Sequence, residues 1–584
     1  MLTPFSHYLQ SNQAPSEYET REIKALRANP LEEISIIDVE IERVEGILNS
    51  LKRKRAHIQE SIDDFNTILA PVRHLSTDVL GVIFSHCLAV HRNPVMSPSE
   101  APILLTHICR DWRSIALSIP RLWSRLYIPT MRKVRAYRPE ALPYVLEGER
   151  RMEARIEEVR RWLRLSAACP LAITLMPASD PVSHPPLLDS IIQSSRRWQQ
   201  LELGCFLSPE SDVLTRLLSL SPDDLCMLQE LRIHSLSLHS MAILHTQGDP
   251  WYQSGLLTAQ GLRSISIADM HRSDAFPAGI PPNWKNLNHL FIHSPILLEL
   301  AHRMLTCCCN LIACLLEITD SEWRDWDNNI IPDESITLSS CILPHLTFLS
   351  LRGDSISRSQ LFSSIEAPSL QILDIQGTFP SESEEFGLLN LLQNINSLET
   401  LRVDLHHLTE SNVVKYYTLT PSVTHLVLGR SPKRRYCYRH FTPHYPYPGH
   451  SNFTILHAFR HQYSPDSLPT LLFPSLEIFE AYDITGVTDI MLLEFIKARI
   501  DATKSNADVS KLKKVLVEFL RARQTDIMPE ALAYAQAAGI KLELDLTYYA
   551  NRDNGLNEGL DETWSPSFGI TSDDVSWVYP LHDY

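Results

Sequence analysis

Glycine is scarce in this chain, 18 residues in 584 against 38 prolines, and no glycine-rich turn of the kind that cradles phosphates follows any strand-like segment. There is no Gly-Lys-Ser/Thr loop, dinucleotide fingerprint, His-Glu-x-x-His or Gly-x-Ser-x-Gly turn. No apolar run approaches the roughly 20 residues that a membrane-spanning helix needs. The first residues, Met-Leu-Thr-Pro-Phe-Ser-His-Tyr, lack the basic and apolar stretches of a signal segment. Basic charge is in deficit too, with 53 Lys and Arg against 69 Asp and Glu and a net charge of −16. That balance argues against non-specific binding to nucleic acid or anionic membranes. The 11 cysteines are scattered and odd in number, and are read as reduced thiols in a soluble protein of the cytoplasm and/or nucleus.

What remains is an ordinary globular composition, 44% hydrophobic and 21% charged, in a chain long enough for several domains or one repeat array. Residues 1–28 are polar and weakly patterned, and a mobile N-terminus is expected there. Asn29-Pro30 then reads as an N-cap and first helical position, with Glu32 and Glu33 in the first turn. From Ile34 to Leu69 apolar residues recur in steps of three and four, with Arg55 in one seam position. The spacing predicts a helix over 31–69, roughly 58 Å long at about 1.5 Å per residue, within a segment 29–70. Its seam suits self-association through residues 34–69 as a coiled coil. It equally suits packing along the chain's own later domain, a reading that Gly46, Arg55 and thin flanking charge pairs favour.

Residues 71–128 hold more large apolar side chains than their size can hide. Leu75, Val79, Leu80, Ile83, Phe84 and Leu88 fall at helical spacing, with Ser76 as N-cap and Asp78 in the first turn. After a Pro-rich spacer, Leu104, Ile108, Trp112 and Ile115 repeat the pattern on a second helix, and Trp123 lies just beyond Pro120. The surplus apolar face must meet the rest of the chain or another protein.

Ile108-Cys109-x-x-Trp112 followed by Leu122-Trp123, and preceded by Leu75-Ser-x-Asp-Val-Leu-x-x-Ile83-Phe84, resembles the F-box. The spacer-plus-helix form Ala101-Pro-Ile-Leu-Leu-Thr-His-Ile-Cys-Arg-Asp-Trp-Arg-Ser-Ile-Ala116 is similar to F-box-like proteins abundant in mushroom-forming fungi. Ser76 stands where that family usually has Pro, and the segment from Ala89 to Ala101 is longer than the usual link. The resemblance implies docking on the small adaptor subunit of a cullin-RING ubiquitin ligase. The contacts would come from Leu75, Val79, Leu80, Ile83, Phe84, Leu88, Leu104, Ile108, Cys109, Trp112, Ile115 and Trp123. Two other readings stand beside it: an interaction scaffold without ubiquitin transfer, and a metal-dependent hydrolase, which needs a site independent of residues 71–128.

Downstream, a charged helix reaches about Arg164, and then a strand of the form Leu-x-x-Leu-x-Leu recurs. It is seen at Leu228-x-x-Leu231-x-Ile233, Leu262-x-x-Ile265-x-Ile267, Leu287-x-x-Leu290-x-Ile292, Leu346-x-x-Leu349-x-Leu351, Leu370-x-x-Leu373-x-Ile375, Leu398-x-x-Leu401-x-Val403, Val423-x-x-Leu426-x-Leu428 and Leu476-x-x-Phe479-x-Ala481. Central positions 265 and 290, 349 and 373, 373 and 401, and 401 and 426 are 25, 24, 28 and 25 residues apart. One strand and one return per period is the rhythm of leucine-rich repeats. The expected fold class is therefore α/β, with N-terminal helices followed by an irregular leucine-rich-repeat-like solenoid over 129–547 with a parallel sheet on its concave face. Asp354, Thr378, His406 and Ser431 stand where an Asn ladder would run. An acidic tail occupies 548–584.

An extended array is more often a binding surface than an active site, so no catalytic residue, cofactor or metal is assigned. Side chains flanking the inward Leu positions must point the other way. Arg232, Phe291, His293, Arg352, Asp374, Arg402, Asp404, Glu480 and Tyr482 would thus form a mixed-charge grid with aromatic anchors for a protein substrate of unknown identity. Cys307-Cys308-Cys309 with Cys314 reads as structural, because adjacent cysteines cannot all face one ion. His406-His407 is read the same way. The insertion Lys433 to His450, with Cys437, His440, His444 and His450, reads as an exposed basic and aromatic contact loop rather than a zinc site.

Overall fold

In the computed structural model the described residues are 4–90, 92–129, 142–176, 185–206, 216–236, 254–267, 280–319, 338–353, 361–376, 385–403, 419–429, 473–484 and 487–548. The chain divides into two compact units, Met1–Val82 and Ile83–Tyr584. Asp404, His406-His407, the 433–450 insertion, the proposed ladder positions and the acidic tail beyond Tyr548 lie outside the described residues.

In the first unit the long helix α1 spans Glu17–Ile68, 52 residues, roughly 78 Å at about 1.5 Å per residue. It starts well before the expected Asn29 cap, so the stretch expected to be mobile is in large part helical. The reason is a capping box: Ser16 accepts from the Glu19 backbone while the Glu19 carboxylate accepts from the Ser16 N–H at 2.9 Å. Pro30 is thus inside the helix rather than at its start, where it removes one backbone bond. No residue of α1 is buried. Helix α2, Thr77–His86, follows and runs across the boundary between the units. Among the described residues no single helix is long and apolar enough to cross a membrane.

Among the described residues the second unit is built on one sheet of 14 strands, all parallel. In order they are β1 (Arg125–Pro129), β2 (Leu171–Met176), β3 (Trp198–Phe206), β4 (Glu230–Leu236), β5 (Ser264–Ile267), β6 (His289–Leu297) and β7 (Ala313–Thr319). They continue with β9 (Phe348–Gly353), β11 (Ile372–Gln376), β12 (Thr400–Val403), β13 (His425–Leu428), β14 (Ile478–Ile484), β15 (Lys514–Phe519) and β16 (Glu543–Tyr548), while β8 (Cys341–Ile342) and β10 (Ile365–Glu366) pair separately. Neighbours in the large sheet follow sequence order and the sheet does not close into a barrel. Parallel strands cannot be joined by a hairpin; helical returns include α5 (Leu142–Leu165), α6 (Pro185–Ile192), α10 (Asp489–Ser505) and α11 (Met528–Ala537), with α7 (Gly255–Thr258), α8 (Leu298–Cys307) and α9 (Glu385–Gln393) between them.

The Leu-x-x-Leu-x-Leu pattern explains the register. Leu231, Ile265, Leu290, Cys314, Leu349, Leu373, Leu401, Leu426 and Phe479 align across neighbouring strands, and every one is buried. Each fully buried Leu or Ile contributes about 1.5–3 kcal/mol, so a register slip would turn a continuous apolar row outward. A second line of backbone bonds ties the strand starts: Asn288 N–H donates to Arg263, Ile312 to Asn288, Thr347 to Ile312 and Gln371 to Thr347, at 2.7–2.9 Å. The array begins earlier than expected, because Arg125–Pro129, assigned above partly to the F-box-like segment, is the first strand of the sheet.

Candidate interaction surfaces

The F-box-like helices are short and locally capped. Ser76 Oγ accepts from the Val79 N–H at 3.4 Å, which starts α2. The second helix is not continuous: it divides into α3 (Leu105–Ile108) and α4 (Arg110–Ser118) at Cys109, whose φ of −154° and ψ of 172° are extended. Cys109 Sγ then accepts from the Trp112 N–H at 3.4 Å as the cap of α4, and Arg113 Nε donates to Thr106 O at 2.7 Å across the break. Phe84 packs against Trp112, ring centres 4.9 Å apart.

Three residues expected to face an adaptor do not offer a surface. Leu80, Phe84 and Trp123 are buried. The Trp123 indole donates to Ala116 O at 2.8 Å and meets Trp162 edge-on at 4.9 Å, so this end of the motif anchors α4 and α5 beneath β1. Leu88, Trp112 and Ile115 are half-buried. Leu75, Val79, Ile83, Leu104, Ile108 and Cys109 are exposed, as is Val82, which motif reasoning passed over. Helix α2 therefore carries two apolar stripes: Leu80 and Phe84 on one side, Val79 and Ile83 on another, each pair four residues apart.

The long spacer is built into the second unit. Arg92 and Glu100 form a two-pronged ion pair at 2.9 and 2.7 Å. Asn93 donates to Thr174 at 2.9 Å, Arg125 reaches Asn93 and the carbonyls of Ala89 and Arg92, and the Tyr127 N–H donates to Pro94 O at 2.9 Å. Val95 bridges to Tyr127. The extra residues thus line the exposed edge of β1, where unpaired backbone would otherwise stand.

The second face of the sheet also has a defined row. In register it runs Tyr127, Thr174, Glu202, Arg232, Ser266, Phe291, Leu315, Ser350, Asp374, Arg402, Val427, Glu480, Leu516, Asp545. Alternation placed Arg232, Phe291, Asp374, Arg402 and Glu480 here correctly, but much of the row is not open to a partner. Phe291, Asp374 and Tyr482 are buried. Phe291 joins Ala313, Leu315 and Phe348 in a small apolar cluster, so Phe291→Ala is expected to lower the unfolding free energy by about 3 kcal/mol. Urea titration checks this, and an unchanged midpoint would refute it.

Polar members of this face are largely satisfied by one another. Asp374 accepts from Ser350 at 3.1 Å and Gln376 at 3.0 Å, with Arg352 3.9 Å away. Arg232 pairs with Glu230. Glu202 accepts from Thr174 at 2.7 Å and contacts His234 at 2.6 Å; burial opposes its ionisation, yet these partners hold its carboxyl below the usual range. Burial likewise opposes ionisation of Glu480, but His425 and Tyr482 outweigh it and hold the carboxyl at about 2. Burial, with Arg352 and His234 nearby, pushes the His293 imidazole down to about 3, so it is neutral. Arg402 differs: its Nη1 is buried without a hydrogen-bond partner among the described residues.

A groove that the apolar periodicity gave no reason to single out lies where strands β5 to β11 begin. It is an open groove of about 640 Å³ lined by Arg263, Asn286, Asn288, Asn310, Ile312, His345, Thr347 and Ser369. The signal was the Asn residues at the turns before those strands. As to metals, among the described residues no three His, Cys, Asp or Glu side chains are grouped to hold an ion. Cys308 and Cys314 are buried, whereas Cys309 is exposed. A hydrogen bond from Cys308 pulls the Cys307 thiol down to about 7.

No family model matches the chain, and no curated protein matches it.

Proposed function

We propose that this chain is an F-box-type substrate receptor, in which the 71–128 segment docks on the adaptor of a cullin-RING ligase and the strand array presents a bound protein for ubiquitination. The observation that carries the reading is α2, whose apolar surface is wider than its packing covers, with Val79 and Ile83 exposed beside buried Leu80 and Phe84. A short helix in water keeps an apolar outer stripe at a cost unless something covers it. The exposed Leu104 and Ile108, from the matching half of the motif, support it. In this reading the sheet is a leucine-rich-repeat-like solenoid, supported by strands in sequence order with one return each. The substrate face is then the sheet face that carries Arg402, and catalysis is positioning alone. The protein would work in the cytoplasm or nucleus, where that ligase machinery resides.

The test is capture of the adaptor by the full chain. Ile83→Asp with Ile108→Asp is expected to lower adaptor recovery at least tenfold, since each lost apolar anchor removes roughly 2 kcal/mol. Both side chains are exposed, so the melting temperature should stay within a few degrees. Adaptor recovery equal to that of the parent chain would refute the assignment.

A further inference from the structure

Helix α1, with its C-terminal cap Leu69, keeps a strict seven-residue repeat from residue 34 to 69. Ile34, Ile41, Leu48, Arg55, Ile62 and Leu69 occupy one seam position, and Ile37, Val44, Leu51, Ile58 and Phe65 the other. Such a seam, of period 3.5, drifts by about 20° per heptad around a straight helix. It therefore fits a second helix that supercoils with it, and fits a flat sheet or fixed groove poorly. The apolar members are 44–69% exposed and nothing in α1 is buried. Ten large apolar chains, each about half exposed, offer on the order of 800 Å² per copy, the size of a standard stable interface.

Charge identifies the partner and its direction. Glu32, Glu33, Asp38, Glu40, Glu42 and Glu45, with only Arg43 among them, make the first half acidic, while Lys52-Arg53-Lys54-Arg55 follows at once. In a parallel pair the positions flanking the seam would set Glu33 against Asp38 and Glu40 against Glu45, which repel. In an antiparallel pair with Leu48 opposite Leu51, Glu45 of each copy faces Lys52 of the other. Arg55, the one polar seam residue, then lies opposite Val44 and beside Glu45. We propose that residues 34–69 of two copies of this chain pair as an antiparallel coiled coil. This surface is separate from the F-box-like segment and does not depend on its role.

Sedimentation equilibrium of the full chain at micromolar concentration should give a dimer. Leu48→Asp with Leu51→Asp should shift it to monomer, with the thermal transition of the sheet unit unchanged because neither residue is buried. Glu45→Lys and Lys52→Glu should each weaken the dimer roughly tenfold, counting the reversal of both symmetric pairs, and the combined charge swap should restore it. Ile34→Cys with Phe65→Cys should cross-link two chains under oxidation, and Ile34→Cys alone should not. A monomeric parent chain, which would leave the seam to a helix of another protein, would overturn the proposal. So would a dimer that survives Leu48→Asp with Leu51→Asp, or efficient cross-linking by Ile34→Cys alone.

Discussion

Replacing Asp489 by Ala is expected to cost about 3–5 kcal/mol, the usual penalty for removing one partner of a buried ion pair. Asp489 is fully buried at the first turn of α10, where Thr488 caps the helix. Its carboxylate accepts from Arg521 Nη2 at 2.7 Å, from the Gln524 and Thr525 N–H groups at 2.8 and 2.7 Å, and from the Tyr548 hydroxyl at 3.1 Å. One side chain thus joins the return after β14, the loop after β15 and the end of β16. Truncation leaves the Arg521 guanidinium without its carboxylate, bonded only to the Val487 and Ala522 carbonyls, and two backbone donors without an acceptor. Burial opposes ionisation, but Arg521 and the two N–H groups outweigh it and hold the carboxyl below its ordinary range. A depressed folded-state pKa means the stabilisation is complete above the unfolded value of about 3.9, and is lost as pH falls through the folded one. Hydrogen exchange should show β14–β16 deprotected in Asp489→Ala at neutral pH. The parent chain should lose that protection only in acid. Equal protection in both at pH 7 would refute this role.

The second large effect concerns Trp123. As a motif residue it was expected to touch an adaptor; as a buried indole held by Ala116 O and Trp162 it should instead carry stability. Trp123→Ala is expected to remove about 3–5 kcal/mol and to lower the denaturation midpoint, whereas a contact residue on the surface would leave it unchanged. Trp123→Phe, which keeps the apolar ring and loses the hydrogen bond, should recover most of the loss. Urea unfolding of the three proteins distinguishes the two roles: an unshifted Trp123→Ala would return this residue to the surface.

These two cases show where sequence pattern reaches and where it stops. The apolar rows were legible because Leu231, Leu290, Leu373 and Leu426 repeat a short-range rule, and the parallel sheet followed from their spacing. The start of α1 was legible too, in Ser16-x-x-Glu19, but Pro30 offered a more conspicuous signal and the capping box won. Strand β1 was hidden because Arg125–Pro129 is only five residues long and adjoins a motif that seemed to claim it. Alternation told which way Phe291, Asp374 and Tyr482 point. It did not tell whether water reaches them, because burial is decided by strands two dozen residues away. The same holds for α2: helical spacing grouped Leu75, Val79, Leu80, Ile83 and Phe84, but only packing separated the Leu80 and Phe84 stripe from that of Val79 and Ile83.

The strand order has a consequence for how the chain is made. Each strand of the large sheet pairs with the one synthesised just before it, so none waits for a segment far downstream. At about 5–20 residues per second, a new strand leaves the ribosome every few seconds and finds its template already displayed. Folding can advance with translation, each step closing only the segment since the previous strand of the sheet. Errors in such a process would stay local: a ribosome stalled after β7 would carry a shorter sheet with one raw edge, not a collapsed chain. An insertion lengthens one such step and leaves the order intact: β14 pairs with β13 despite the long segment between them.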